Sequence, residues 1–163
     1  MAGDDMRKAL PSLILVAALA ACSHGPTLTV QERLALYREH AGAPIGSFRL
    51  DRMTGMQRWT PLGDQALAVW SSANRGNLLE MRTRCPGLTS AARISITNSL
   101  GQVTTMDRVV TRSAAGTVMG SCRIASIRPL DGQALRDAKR ELRDADIIER
   151  SAAPPEDPAA PSG

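Results

Sequence analysis

The sequence predicts an α+β domain: an antiparallel β-meander, forming a sheet or a partly closed barrel, flanked by an N-terminal and a C-terminal helix. Three observations predict it. Between Ile45 and Ile127, short runs of alternating or β-branched residues recur between clusters of Gly, Pro, Asn and Asp. Thr29 stands three residues before Glu32, the spacing of a capping box that opens a helix. Beyond Asp131, the residues Leu135, Ala138, Leu142, Ala145 and Ile148 recur at spacings of three and four, the apolar stripe of a second helix.

The chain divides into a signal segment (1–21), a tether (22–28), one domain (29–150) and an Ala/Pro-rich tail (151–163) whose composition predicts disorder. Arg7 and Lys8 give the signal its positive start, and Leu13 to Ala21 its apolar stretch. Asp4 and Asp5 fit such a start badly, which leaves Met6 as an alternative first residue. The apolar stretch is shorter than the roughly 20 residues a membrane-spanning helix needs. It ends in Leu19-Ala20-Ala21-Cys22, which resembles the bacterial lipobox. That resemblance implies a diacylglyceryl thioether on Cys22, cleavage before Cys22, and acylation, typically with palmitate, of the new amine. Two or more acyl chains make such an anchor stable where one would not. The competing reading is ordinary cleavage at Ala18-Leu19-Ala20, which would leave a soluble protein. Ser23, where aspartate would favour inner-membrane retention, points by the same resemblance to the outer membrane, with the domain facing the periplasm.

Within the domain, the first helix is expected from Thr29 to about His40, with Val30, Leu34, Leu36 and Tyr37 on one side and Gly42 and Pro44 as its stop. Strands are expected at Ile45–Leu50, Gln57–Thr60, Ala66–Ser71, Leu78–Thr83, Arg93–Thr97, Gln102–Met106, Arg108–Thr111 and Thr117–Ile127. Among the breaks between them is Asn74-Arg75-Gly76-Asn77, and Pro129-Leu130-Asp131 is expected to close the sheet. Tight turns of this kind join antiparallel neighbours. Asp131 then caps a second helix over about Gly132 to Glu149, its stripe packing on the sheet. Tyr37, Phe48, Trp59 and Trp70 are the only aromatic residues, so the core is expected to be densest in the first half.

The net charge of +4 is uneven. From Ala43 to Leu130, eleven arginines face Asp51, Asp64, Glu80 and Asp107, and the remainder of the chain is neutral or acidic. An arginine-rich surface suits anionic lipid or an acidic envelope protein, because guanidinium is a planar bidentate donor. The plainer reading is a preference for Arg over Lys. Nucleic acid is disfavoured, since no aromatic residue accompanies the later arginines to stack bases.

With Cys22 committed to lipid, Cys85 and Cys122 remain in an oxidising compartment, where disulfides persist. Closing the loop between them would be worth about 4 kcal/mol in the chain-entropy model. The alternatives are a nucleophilic thiol or a metal pair, although two thiols without a paired histidine make a poor metal site. No metal or other cofactor is implied.

Candidate chemistry is sparse. Trp59, Asp64 and Trp70, with Arg49 and Asp51 nearby in sequence, form the best polar cluster. Two Trp beside a carboxylate can hold a sugar or a cation. The bland alternative has the two Trp packing together and Asp64 bonding its own turn. His24 decorates the tether, and His40 suits a helix C-terminus. No G-x-S-x-G, H-E-x-x-H, Walker or G-x-G-x-x-G pattern is present.

Trp59-Thr60-Pro61-Leu62-Gly63-Asp64, Ala68-Val69-Trp70, Cys85-Pro86-Gly87-Leu88 and Cys122-Arg123-Ile124, followed by Ile127-Arg128-Pro129-Leu130-Asp131, come in that order. Together they resemble a family of small Gram-negative envelope lipoproteins with a domain of unknown function. The resemblance spans about Thr29 to Arg150. It implies a compact domain with Cys85 and Cys122 paired, and it implies no activity and no catalytic residue. The expectation is therefore a non-catalytic binding or scaffolding module, held to the membrane through Cys22. The alternative is a small envelope hydrolase using Asp64 or His40.

Overall fold

Ala66–Trp70 carries five consecutive apolar residues with no alternation, four of them buried, because both faces of the sheet are covered there. The computed structural model describes residues 28–50 and 58–152. Its elements are α1 (Val30–Glu39), β1 (Ser47–Arg49), β2 (Arg58–Pro61), β3 (Ala66–Trp70), β4 (Arg75–Met81), β5 (Arg93–Ile96), β6 (Gln102–Thr104), β7 (Arg108–Arg112), β8 (Val118–Asp131) and α2 (Gly132–Ala152). The expected signal segment, the lipidation site Cys22, Asp51 and the tail from residue 153 lie outside the described residues.

The predicted α+β arrangement is present. A six-stranded antiparallel sheet curves into a half-barrel with the order β2-β3-β4-β8-β7-β5, β1 pairs with β6, and one helix precedes and one follows the strands. Only β2-β3-β4 runs as a meander. The next neighbour of β4 is β8, the last strand.

This order depends on two extra residues in β8. Glu80 pairs with Ser126 but Met81 with Ile124, leaving Ala125 over. Thr111 pairs with Gly120 but Arg112 with Val118, leaving Met119 over. Such bulges bend and twist a strand, and the bent β8 serves β7 with its first half and β4 with its second. The segment leaving α1 follows the other edge of that second half: Gly42 N–H donates to Pro129 O and Ile45 N–H to Ile127 O, both at 2.8 Å. Pro129 cannot return a bond to Gly42 O. Arg128 Nε does so instead at 2.8 Å, and its Nη2 bonds the carbonyls of Arg38 and Ala41, closing the C-terminus of α1.

Leu67 and Val69 of β3, Leu79 and Met81 of β4, and Val109, Ile124 and Ile127 fill the concave side. Ala66, Ala68, Leu78 and Leu130 face the other way and meet Tyr37 of α1 and Leu135 of α2. The expectation of a core densest in the first half is not met. The concave side takes aliphatic residues from both halves, and Phe48 and Trp59 pack only at its margin. Cys85 and Cys122 are disulfide-bonded, their Cα atoms 5.5 Å apart, and both are buried in the same core.

Both helix starts follow the sequence. Thr29 Oγ1 accepts from Glu32 N–H at 3.2 Å while the Glu32 carboxylate accepts from Thr29 N–H at 2.8 Å. The Asp131 carboxylate accepts from the N–H groups of Gln133 and Ala134. The stripe of α2 meets the sheet at Leu135, but Leu142 is exposed, because the helix runs on past the sheet. The turn expected at Asn74–Asn77 lies earlier. Ser72 Oγ accepts from Asn74 and Arg75 N–H, and β4 begins at Arg75. Gly76 is a strand residue that allows close approach: a Cβ there would stand 2.6 Å from Trp70 Cε3. Pro129-Leu130-Asp131 likewise belong to β8 itself.

Candidate functional site

The β2–β3 register places Trp59 opposite Val69 and Arg58 opposite Trp70. Directly opposed residues share a face and successive residues alternate, so the two Trp point to opposite sides of the sheet. Trp59 packs against the concave core. Trp70 meets Tyr37 edge-to-face, with centroids 6.3 Å apart, and its Nε1–H donates to Thr60 Oγ1 at 3.1 Å. Asp64 joins neither. It lies in the turn at the other end of the hairpin, three register steps or about 10 Å from the Trp70 end. Its one ionic partner among the described residues is Arg84 at 3.9 Å, with side chains 83% and 51% exposed, a pair of little weight. Arg49 lies in β1, in the separate two-stranded sheet. The expected Trp–carboxylate cluster is therefore not assembled by the fold.

His40 caps the C-terminus of α1, as its position suggested. The helix begins at Val30, against Gly63 beside Asp64. Asp64 and His40 thus sit at opposite ends of a 10-residue helix, about 15 Å apart at 1.5 Å per residue, and form no acid–base pair. Among the described residues no three His, Cys, Asp or Glu gather as a metal site would require.

The structure gathers two cationic surfaces instead. The first is an open cleft of about 620 Å³ between β2, β3, the turn after β3 and the start of α2. Trp70 and Tyr37 form part of its wall, with Leu135 beside them. Lys139 Nζ donates to Tyr37 Oη at 3.0 Å and stands 4.6 Å from the ring centroid. Arg136 bonds Ala73 O and Asn74 Oδ1. Arg58 is exposed at the rim, and every charged residue of the lining is a cation. Asp131, at the N-terminus of α2, is turned to its own helix N–H groups.

The second is a sheet face. Arg93 of β5 stands directly opposite Arg112 of β7, and Arg108 of β7 directly opposite Arg123 of β8. Arg82 N–H donates to Arg123 O at 3.0 Å, which extends the second row. The alternate residues Ile96, Val109 and Cys122 point into the core, so all five arginines share the opposite, convex face. Val110, Ser95 and Ser121 lie between the rows. Among the described residues none of the five has a carboxylate within 4.0 Å. Arg108 and Arg112 bond only carbonyl oxygens, those of Ser121 and Gly116.

Asp107, next to Arg108, is already engaged. Its carboxylate accepts from Thr97 Oγ1 at 2.9 Å, Thr104 N–H at 2.8 Å and Thr104 Oγ1 at 3.0 Å. Burial pushes this carboxyl up, but the bonds from Thr104 and Thr97 together outweigh burial and hold it below its ordinary pKa. Charge counting along the sequence found the arginine excess but not the face. The signal was the two-residue period that puts Arg108 and Arg112 on one side of β7.

Residues 5–146 match a family described as a family of unknown function (DUF6491). No curated protein matches the chain, and no solved structure does.

Proposed function

The chain belongs to that family of unknown function, and we propose that it is a lipid-anchored, non-catalytic binding module of the Gram-negative cell envelope. In this reading Cys22 carries the acyl chains, the domain faces the periplasm from the outer membrane, and its convex arginine face seats on anionic lipid phosphates. The observation that carries the reading is the double row of Arg93, Arg112, Arg108, Arg123 and Arg82, opposed across strands and, among the described residues, without carboxylate partners. Like charges set opposite each other cost stability, and an external anion removes that cost. Guanidinium groups bind phosphate oxygens in pairs. The seven steps along the chain from Cys22 to Thr29 reach at most about 25 Å, so the tether would keep the domain at the lipid surface. Its far end enters α1 beside Gly63, where Asp64 meets Arg84, two residues from Arg82. None of the four aromatic residues lies on this face to stack bases, which disfavours nucleic acid.

The test uses the full chain carrying Cys22→Ser, co-sedimented with anionic or neutral vesicles at rising salt. Binding to anionic vesicles alone, weakening as the Debye length falls from about 10 Å toward 3 Å and lost on charge reversal at Arg93 and Arg108, is expected. Equal binding to both vesicles, or none to either, removes the lipid reading and leaves an acidic envelope protein as the partner. In cells, the Cys22→Ser chain should take up no fatty-acid label and leave the membrane fraction; labelling equal to wild type would remove the anchor.

A further inference from the structure

We propose that the cleft between Trp70, Tyr37 and the start of α2 is a separate binding site, and that it takes a small amphiphilic anion: a carboxylate, sulfonate or phosphate group on an aromatic or short acyl body. The site is distinct from the arginine face. Its volume of about 620 Å³ exceeds what a bare inorganic anion fills and lies in the range of small-molecule sites.

The walls divide by chemistry. Trp70, Tyr37 and Leu135 supply apolar and aromatic surface, with the Tyr37 ring set edge-to-face to Trp70 at an interplanar angle of 64°. Both rings are fixed by their polar atoms, Trp70 Nε1–H on Thr60 Oγ1 and Tyr37 Oη on Lys139 Nζ, so the wall is preformed. The rim supplies charge of one sign. Arg136 is spent on the turn after β3, holding Ala73 O and Asn74 Oδ1. Lys139 has given one of its three N–H groups to Tyr37. Arg58 is exposed and has no carboxylate within 4.0 Å among the described residues. Arg58 and Lys139 therefore keep donors for a bound anion. The nearest helix terminus adds the positive end of α2, although Asp131 already occupies its first N–H groups. A cationic ligand, which a Trp–carboxylate site would have favoured, meets no carboxylate in this lining.

The protein carries its own reporter, because Trp70 forms part of the wall of the cleft, while Trp59, the other tryptophan, turns its side chain to the opposite face of the sheet and gives an emission that a ligand in the cleft does not contact. The full chain with Cys22→Ser is titrated with anilinonaphthalene sulfonate and with N-phenylnaphthylamine, the same body without the charge. Saturable quenching of Trp emission by the sulfonate, about tenfold tighter than by the neutral probe, is expected for an anion held by one charge-assisted hydrogen bond. Arg58→Ala and Lys139→Met should each weaken the sulfonate's binding and leave the neutral probe's unchanged, and the double variant should bring the two affinities together. Charge reversal at Arg93 and Arg108 should leave this titration unchanged while it abolishes vesicle binding, and Arg58→Ala should leave vesicle binding unchanged. Equal affinity for both probes, no quenching by either, or a sulfonate affinity indifferent to Arg58 and Lys139 would overturn the site. Loss of vesicle binding in Arg58→Ala would show instead that the cleft serves the lipid surface. The proposed arginine face can fail without affecting the probe titrations or their dependence on Arg58 and Lys139.

Discussion

Arg123→Glu should make the protein more stable and less able to bind anionic membranes. Arg123 stands in register between Arg108 and Arg82, and no hydrogen bond from its guanidinium to another group is found among the described residues. Two unit charges about 6 Å apart in water interact by about 0.7 kcal/mol. Turning two repulsions into two attractions would then shift stability by at most about 3 kcal/mol. Long side chains splay into water and lose entropy when paired, so about 1 kcal/mol is expected, or roughly 4 °C in Tm for a domain of this size. The assay is thermal unfolding at low salt and at 1 M salt, where the Debye length is about 3 Å. At high salt the gain should vanish, and the wild type should itself become more stable as its rows are screened. A variant less stable than wild type at low salt, or a gain unaffected by salt, would refute the argument that these arginines repel.

Two further perturbations test the scaffold. Cys85→Ala opens a loop of 37 positions and should lower unfolding free energy by about 3 to 4 kcal/mol in urea, and added reductant should bring the wild type to the same midpoint. Asp107 has a lowered folded-state pKa, so it stabilises the fold above its unfolded pKa and that stability is lost as pH falls through the folded value. Asp107→Ala should cost about 2 kcal/mol at neutral pH and flatten the acid limb of the stability profile; an unchanged acid limb would contradict the role given to its three bonds.

What the sequence made legible was local. Thr29 with Glu32 and Asp131 with Gln133 act within a few residues, so caps could be read without a fold. Strand texture was legible for the same reason, and the α+β class followed from it. Topology was not: the bulge at Ala125 shows in the sequence only as a step of three between Ile124 and Ile127 where the strand otherwise steps by two, and an irregular spacing does not say which strand pairs with β4. Gly76 looked like a turn because a glycine's need for space beside Trp70 cannot be told from a need for a turn without the neighbour. The Trp pair misled similarly. Two Trp a hairpin apart seem close, yet one residue of register decides whether they share a face. The cleft draws Tyr37, Trp70 and Lys139 from three elements, and nothing in their spacing joins them.

The bent β8 also dictates when the fold can close. As the chain emerges N-terminus first, β2, β3 and β4 can form a hairpin sheet early, but the outer edge of β4 has no neighbour until the final strand arrives. That edge carries Leu78, Leu79 and Met81, and the thiol of Cys85 just beyond it waits for Cys122 on the same late strand. An unpaired apolar edge is a template for association with other chains. The interval between the emergence of Met81 and that of Asp131 thus leaves this edge uncovered, and any chain cut short before Val118 would keep it open permanently.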